Sequence, residues 1–415
     1  MPWQLRKSRS APSHSCRGPA LVKRRRSHIR IVDVCAFYTP YGGGVRTYVH
    51  RKLAAAAAAG HELVVLAPGA TNGWRELPGG GILATLASPK LPLDRRYRYF
   101  GDEEALHRAL DEWRPDFVEA SSPWASAAMV ARWRGTAGRA LVMHADPLSA
   151  YAYRWFGRIA STASIDRGFD WFWRHLRELD RAMDTVVCAS RDLAGRLAAG
   201  GLTRVATIPM GVEPGVFSPA HRDLSLRAEL LARCELPADA TLLLGVGRYS
   251  AEKRWGMVIE AATAAGVTSP IGLILLGEGR SHRGLMARAA GSPHVVIGEA
   301  VRDRRQLAAI MASADALVHA CEAETFCMVA AEAAASGLPI IAPDRGGAAD
   351  HAAQNGGRLY RAADVGALRD ALADFACIAR TRAASMPVSV RTMDEHFGDL
   401  FALYGGFSRP ALLAA

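Results

Sequence analysis

Residues 29–69 read IRIVDVCAFYTPYGGGVRTYVHRKLAAAAAAGHELVVLAPG. The stretch opens with a short β-branched apolar run, Ile29 to Phe37, which reads as a buried strand. A glycine-rich turn follows at Gly42, Gly43 and Gly44. Val45 to Ala59 then reads as a helix closed by Gly60, and His61 to Gly69 as a second strand. Strand, glycine turn, helix, strand is the opening of a parallel α/β unit.

The alternation continues outward. Further strands are expected at DFVEAS from Asp116, RALVMH ending at His144, and DTVVCAS from Asp184. The Pro/Gly-rich EPGVFSP, from Glu213, reads as the crossing between domains. The pattern restarts at ATLLLGVGRYS, and four more short strands are expected at IGLILLGEG, HVVIGEA, ADALVHA and LPIIAPD. WGMVIEAATAAG and RDRRQLAAIMASA read as helices between them. The expected architecture is two doubly wound α/β domains in tandem. Their boundaries fall at 29–205 and 206–385, with a basic tail at 1–28 and a helical segment at 386–415 that includes Met393 to Tyr404. In such sheets ligands bind outside the carboxyl ends of the strands.

The chain has 415 residues, half of them hydrophobic and 22% charged, the composition of a globular enzyme. No run of about 18 or more apolar residues occurs, so no membrane span is expected. The seven cysteines form no C-x-x-C pair, and no histidine cluster has zinc spacing, which argues against a structural zinc and a disulfide framework. A reduced, cytoplasmic protein is expected. The net charge of +11 is uneven: residues 1–205 carry 31 Lys+Arg against 18 Asp+Glu, the remainder 20 against 22. Much of the excess precedes Ile29, in Arg6, Lys7, Arg9, Arg17 and Lys23 to Arg26, without an apolar core of signal-peptide type. That tail reads as a disordered extension or as a polybasic arm on anionic lipid. Nucleic-acid binding is a third option for the tail, and nothing else in the chain supports it.

The strongest chemical signal is EAETFCMVAAEAAASGLP. Thr325 is the expected N-cap of a helix that runs from Phe326 and ends at Gly337 and Pro339. Glu324 then lies just before the helix start and Glu332 roughly 10 Å along it, at about 1.5 Å per residue. The free backbone N–H groups of Phe326, Cys327 and Met328 form an anion site between them. A diphosphate there, flanked by hydroxyl-bearing rings, suits two spaced carboxylates. The competing reading is two surface glutamates on an alanine-rich helix. Arg248 and Lys253, in GVGRYSAEKRW, follow a strand and precede a helix, a suitable pair for two phosphates. The Gly42 to Gly44 turn lets backbone approach a ligand but does not match the dinucleotide fingerprint. His144 ends a strand and reads either as a core histidine or as a functional one. No D-x-D pair follows a strand, so no metal and no cofactor is expected; Arg248, Lys253 and the helix dipole serve in its place.

Together these pieces, over Ile29 to Tyr404, resemble glycosyltransferase family 4, retaining enzymes with a two-domain GT-B fold. The resemblance rests on the glycine turn, a strand-end histidine, IPMGVEPGVFSP, GVGRYSAEK, LLGEG and ADALVHACEAETF…AAEAAASGLPIIAPDRGG, in that order. It implies two Rossmann-like domains facing a cleft. It assigns Arg248 and Lys253 to the donor diphosphate and Glu332 to the ribose. Glu324, with backbone at Phe326, Cys327 and Met328, goes to the donor sugar. Gly43 and Gly44 go to the phosphates, and His144 to the sugar near the reacting carbon. It implies a nucleotide-sugar donor of the UDP-glucose or GDP-mannose type. Cys327 stands where the family has Gly, Met210 where Asn is common, and Asp350 where Glu is usual. A sugar-nucleotide epimerase or hydrolase, and a non-catalytic nucleotide-sugar binder, are the rival readings.

The segment from Tyr151 to Trp173 is dense in aromatics, with arginines interleaved. It reads either as core beside a wet helix face or as an interface with an anionic membrane surface. The second reading implies peripheral attachment to the inner leaflet and a lipid or glycan acceptor.

Overall fold

A computed structural model describes residues 28–39, 44–92, 94–95, 97–157, 159–354, 356–379 and 390–407. Most of the basic tail, and Gly42 and Gly43 of the glycine turn, lie outside the described residues. The chain forms two compact units, each discontinuous in sequence. The first draws on Met1–Val142, Ala182–Asp184 and Phe401–Ala415, the second on Met143–Arg181 and Thr185–Leu400.

The first sheet begins with β1 (Arg30–Val34), β2 (Glu62–Gly69), β3 (Gly73–Glu76), β4 (Ile82–Ala87), β5 (Phe117–Ala120) and β6 (Gly138–Met143), in the order β3-β4-β2-β1-β5-β6. The order ends with β7 (Thr185–Cys188) and β8 (Val205–Thr207), which pair with each other in parallel. The opening run forms β1 as expected, central and parallel to β2 and β5. Ile31 and Val32 are fully buried, which is why the strand reads as a continuous apolar run. The β3–β4 pair is antiparallel. It was not expected: β3 is the mostly exposed GWRE, with no apolar alternation to announce it.

Beneath the helix Gly44–Ala58 lies a buried ionic cluster. Asp33 and Glu119 stand opposite each other on β1 and β5. Lys52, without solvent exposure, donates to Asp33 at 2.8 Å and to Glu119. The Ser121 hydroxyl lies 2.6 Å from Asp33 and 2.9 Å from Glu119. Tyr404, from the last helix Met393–Phe407, donates to Glu119 and stacks on Phe117. Burial, then Glu119, push the Asp33 carboxyl up, whereas the two carboxylates overcome burial and hold Lys52 charged.

The second sheet is β9 (Thr241–Val246), β10 (Ile271–Leu276), β11 (Val295–Gly298), β12 (Ala316–Val318), β13 (Ile340–Pro343) and β14 (Arg358–Tyr360), in the order β11-β10-β9-β12-β13-β14. Every pair is parallel. All five expected strands form; β14 was missed because three residues carry no readable period. Alternate residues feed opposite faces. Leu242 and Leu244 pack towards one layer of core and Leu243 towards the other. The strand order reverses between β9 and β12, the position at which open α/β sheets hold ligands.

The aromatic segment divides. Phe172 and Trp173 are buried on the helix Asp170–Ala182, while Tyr151, Trp155, Phe156 and Trp171 are exposed. No helix among the described residues is long and apolar enough to cross a membrane.

Lys52→Met should lower stability by about 3–5 kcal/mol, because it leaves two carboxylates buried without their cation. Denaturant unfolding reads this directly, and an unchanged midpoint would contradict it.

Candidate functional site

The two strands flanking the reversal each deliver one half of the site. After β9 the chain turns through Arg248 and a short 3-10 turn, Ala251–Lys253, into the helix Trp255–Gly266. The Trp255 indole donates to the Arg248 carbonyl at 2.9 Å and fixes that turn from below. The LLGEG segment backs the same turn: a Cβ on Gly277 would lie 2.0 Å from the Gly247 carbonyl oxygen. Tyr249 N–H donates to the Glu278 carbonyl at 2.8 Å. The two glycine-bearing sequences are therefore one structural unit.

After β12 the chain passes Glu322 and Glu324 before the next helix. Lys253 Nζ donates to the Glu324 carboxylate, joining residues from the two loops. Burial alone would raise the Glu324 carboxyl; Lys253 outweighs it, with His319 and Arg248 adding, and holds it below the usual range. Burial would likewise lower Lys253, and Glu324 overcomes that. Arg254, the next residue, grips Glu322 with Nε at 2.9 Å from Oε2 and Nη2 on the other oxygen. Arg248 is exposed and, among the described residues, reaches Glu252 at 3.4 Å. Its guanidinium points into solvent beside a buried, charge-paired centre.

Thr325 is not the helix cap. The helix is Met328–Ala335, two residues shorter at its start than expected, and Cys327 occupies the N-cap position with no side-chain cap bond. Thr325 Oγ1 instead donates to the His144 carbonyl at 3.0 Å. Cys327 has φ +67°, a left-handed conformation that crowds any Cβ. That is the physical reason for a family glycine there. Cys327 is buried, with its Sγ 3.6 Å from His319 Nε2. Burial, then Lys253, push the His319 imidazole down to about 4.

The backbone between Glu324 and Met328 is held from behind. Gly347 N–H donates to the Glu324 carbonyl at 2.7 Å, and a Cβ on Gly347 would lie 2.6 Å from Phe326 backbone. Phe326 is buried edge-on against His351, which also contacts the Phe326 carbonyl at 2.9 Å. Asp350, at the usual Glu position, accepts from Arg191 N–H at 2.7 Å.

Glu332 is buried within the helix and paired with Arg304 at 2.5 Å. Burial raises its carboxyl and Arg304 opposes the rise. Glu324 and Glu332 are therefore not two surface glutamates. His144 is exposed at the end of β6, so it is not a core histidine, and its carbonyl contact places it beside the Glu324 loop. Gly44 begins the helix Gly44–Ala58 in the first unit, and no atom of the described residues lies within 4 Å of where a Cβ would stand. The sequence reading missed Arg254–Glu322, Arg304, His319 and the Gly346–Gly347 support. Only the glycine pair had a visible signal, at the end of the resembling stretch. The ion pairs link residues far apart in the chain.

Cys327→Gly should be more stable than Cys327→Ala by about 1–2 kcal/mol, the cost of a Cβ in the left-handed region. This reverses the usual helix order, and chemical denaturation of the two variants measures it. Equal stabilities would remove the strain argument.

The geometry can be compared with known proteins. Residues 42–216 match the Glycosyltransferase Family 4 profile and residues 240–376 the Glycosyl transferases group 1 profile. The chain is 31% identical over 317 residues to a GDP-mannose-dependent alpha-(1-6)-phosphatidylinositol dimannoside mannosyltransferase of Mycobacterium tuberculosis (strain ATCC 25177 / H37Ra), covering 75% of this chain and 79% of that protein. It is 29% identical to a GDP-mannose-dependent alpha-mannosyltransferase of M. tuberculosis (strain CDC 1551 / Oshkosh), covering 78% and 81%. Among solved structures, sucrose-phosphate synthase from Thermosynechococcus elongatus superposes with a TM-score of 0.66 at 20% identity, covering 92% of this chain and 99% of that one. The fold is GT-B, with two Rossmann-like domains. Sequence kinship and the order of motifs along both sheets agree: this chain belongs to glycosyltransferase family 4 and is a glycosyltransferase.

Proposed function

We propose that the chain transfers a hexose from a nucleotide-sugar to a lipid or glycan acceptor of the cell envelope, with retention and without a metal. The observation that carries this reading is the Lys253–Glu324 pair at the sheet reversal, directly before the helix Met328–Ala335. A diphosphate in this position meets Lys253, the solvent-facing Arg248 and the first N–H groups of that helix, three sources of positive potential. Their combined effect is to stabilise the leaving diphosphate as its charge develops.

Glu324, released in part from Lys253 as the phosphates arrive, accepts hydrogen bonds from the sugar hydroxyls. Phe326, Cys327 and Met328 supply backbone to the same ring. Glu332, kept in place by Arg304, takes the ribose. His144 approaches the reacting carbon from the end of β6. The acceptor hydroxyl is deprotonated with help from the leaving phosphate on the same face, so no side chain is assigned as sole base. Gly43 and Gly44 are assigned to the phosphates on the family resemblance alone. GDP-mannose is the favoured donor, since the mannosyltransferase relatives use it by name; UDP-glucose is the alternative.

Peripheral attachment to an anionic inner-leaflet surface completes the reading. Its support is the exposure of Tyr151, Trp155, Phe156 and Trp171, aromatic side chains of the kind that settle at a lipid headgroup boundary.

A thermal-shift screen over GDP-, UDP- and ADP-sugars should give its largest shift with GDP-mannose. Product analysis should show a transferred α-linked sugar rather than an isomerised or hydrolysed donor. Lys253→Ala and Glu324→Ala should each lower turnover about 10²-fold or more, the scale of lost transition-state electrostatics. Near-normal transfer by either variant would sink the assignment, and donor binding without transfer to any acceptor would favour a non-catalytic binder.

A further inference from the structure

A cavity of about 1740 Å³ opens in the second unit, lined by the segment from Ser149 to Arg177 and by Arg254, Glu322, Arg345 and the turn Arg361–Val365. Ligand pockets commonly span about 300–1,000 Å³, so the space suits a large polar group. None of Arg248, Lys253, Glu324 and Glu332 lines it. It nevertheless adjoins the proposed donor site, because Arg254 follows Lys253 and Glu322 lies two residues before Glu324.

The walls carry seven arginines against five carboxylates, and the pairing pattern shows where the excess lies. Arg154, Arg177, Arg196, Arg254 and Arg361 each pair with an acid. Arg167 and Arg345 have no acidic partner among the described residues; Arg167 reaches only the Ser164 hydroxyl, at 3.1 Å. Two guanidinium forks uncommitted to an acid thus line one cavity, and each is of the kind that grips a phosphate through paired N–H groups.

The same wall carries an apolar ridge. Tyr153, Arg154, Gly157 and Ala160 face the cavity. Interleaved with them, Tyr151, Trp155, Phe156 and Ile159 are exposed, Trp155 to 61% and Ile159 to 83%. The Tyr151 and Trp155 rings are 5.5 Å apart and form one surface. One short segment thus presents the Tyr153 hydroxyl and the Arg154 cation to the cavity and large apolar groups outward. A free anion needs only the first; an anionic amphiphile uses both.

We propose that this cavity is the acceptor site and takes the phosphate-bearing head group of an anionic lipid. Arg167 and Arg345 hold the phosphate, while Tyr151, Trp155, Phe156 and Ile159 lie in the leaflet from which the head group rises. The assignment rests on the transferase reading above, and it adds the class of acceptor and the residues that select it.

The test uses the full chain with three probes: inorganic phosphate, water-soluble glycerophosphoinositol, and phosphatidylcholine vesicles with or without phosphatidylinositol. Binding should be strongest to the phosphatidylinositol vesicles, measurable for glycerophosphoinositol and absent for pure phosphatidylcholine. The double variant Arg167→Gln/Arg345→Gln should bind both inositol probes about tenfold or more weakly, the scale of lost hydrogen bonds to a charged group. Trp155→Ala/Phe156→Ala should weaken vesicle binding and leave glycerophosphoinositol binding in place. Unfolding midpoints of both variants establish that they are folded. Wild-type affinity for glycerophosphoinositol in the arginine variant would overturn the proposal, as would equal binding to pure phosphatidylcholine. Inorganic phosphate binding as tightly as either inositol probe would assign the cavity to a free anion and overturn the lipid. Donor thermal shifts on the wild type report on the transferase reading separately, so the two can fail independently.

Discussion

Lys253 and Glu324 are seventy-one residues apart in sequence and meet because β9 and β12 are neighbours in the sheet. That adjacency is the constraint on which the candidate site depends. At the reversal, the chain leaving β9 and the chain leaving β12 turn into helices on opposite faces of the sheet, and the space between their first turns is not filled by a crossover. Two loops end there with complementary charge and with solvent on one side.

The first sheet has a related arrangement with the opposite outcome. Asp33 and Glu119 sit on β1 and β5, the central pair, and Lys52 bridges them. There the helix Gly44–Ala58 and Tyr404 close over the charges, and all three side chains are essentially without solvent contact. In the second unit the Lys253 and Glu324 side chains keep 12% and 27% of theirs. A sealed ion cluster holds strands and helix in register; an accessible one can exchange its partner for a ligand. Exposure, not residue type, separates the two roles.

Precision in the donor loops comes largely from backbone. Gly277 against Gly247, Gly347 against Phe326, and the Gly347–Glu324 hydrogen bond bring main chains closer than side chains would permit. Cys327 and Arg254 are exceptions, residues with a Cβ held at positive φ. The side chains that carry charge project from this scaffold, and Trp255, Arg254 and Arg304 brace them from behind.

The sequence by itself determined the strands that are apolar on both faces, since burial on both sides leaves an uninterrupted hydrophobic run. It also determined the glycine turns and the charged residues beside them, because each follows from a local pattern. It could not show the β3–β4 pairing, because β3 is mostly exposed and has no apolar alternation, or β14, which is too short to carry a period. It misplaced the cap at Thr325, because a capping residue is recognised by type and the hydroxyl here is drawn to the His144 carbonyl instead. Only the tertiary structure decided which carboxylates are paired. Glu322, Glu324 and Glu332 look alike in sequence, yet each has a different cation, Arg254, Lys253 and Arg304. It alone left Arg167 and Arg345 without an acid among the described residues and turned Trp155 outward while burying Trp173. Pairing and exposure depend on which distant segments the strand order brings together, and no local pattern records that.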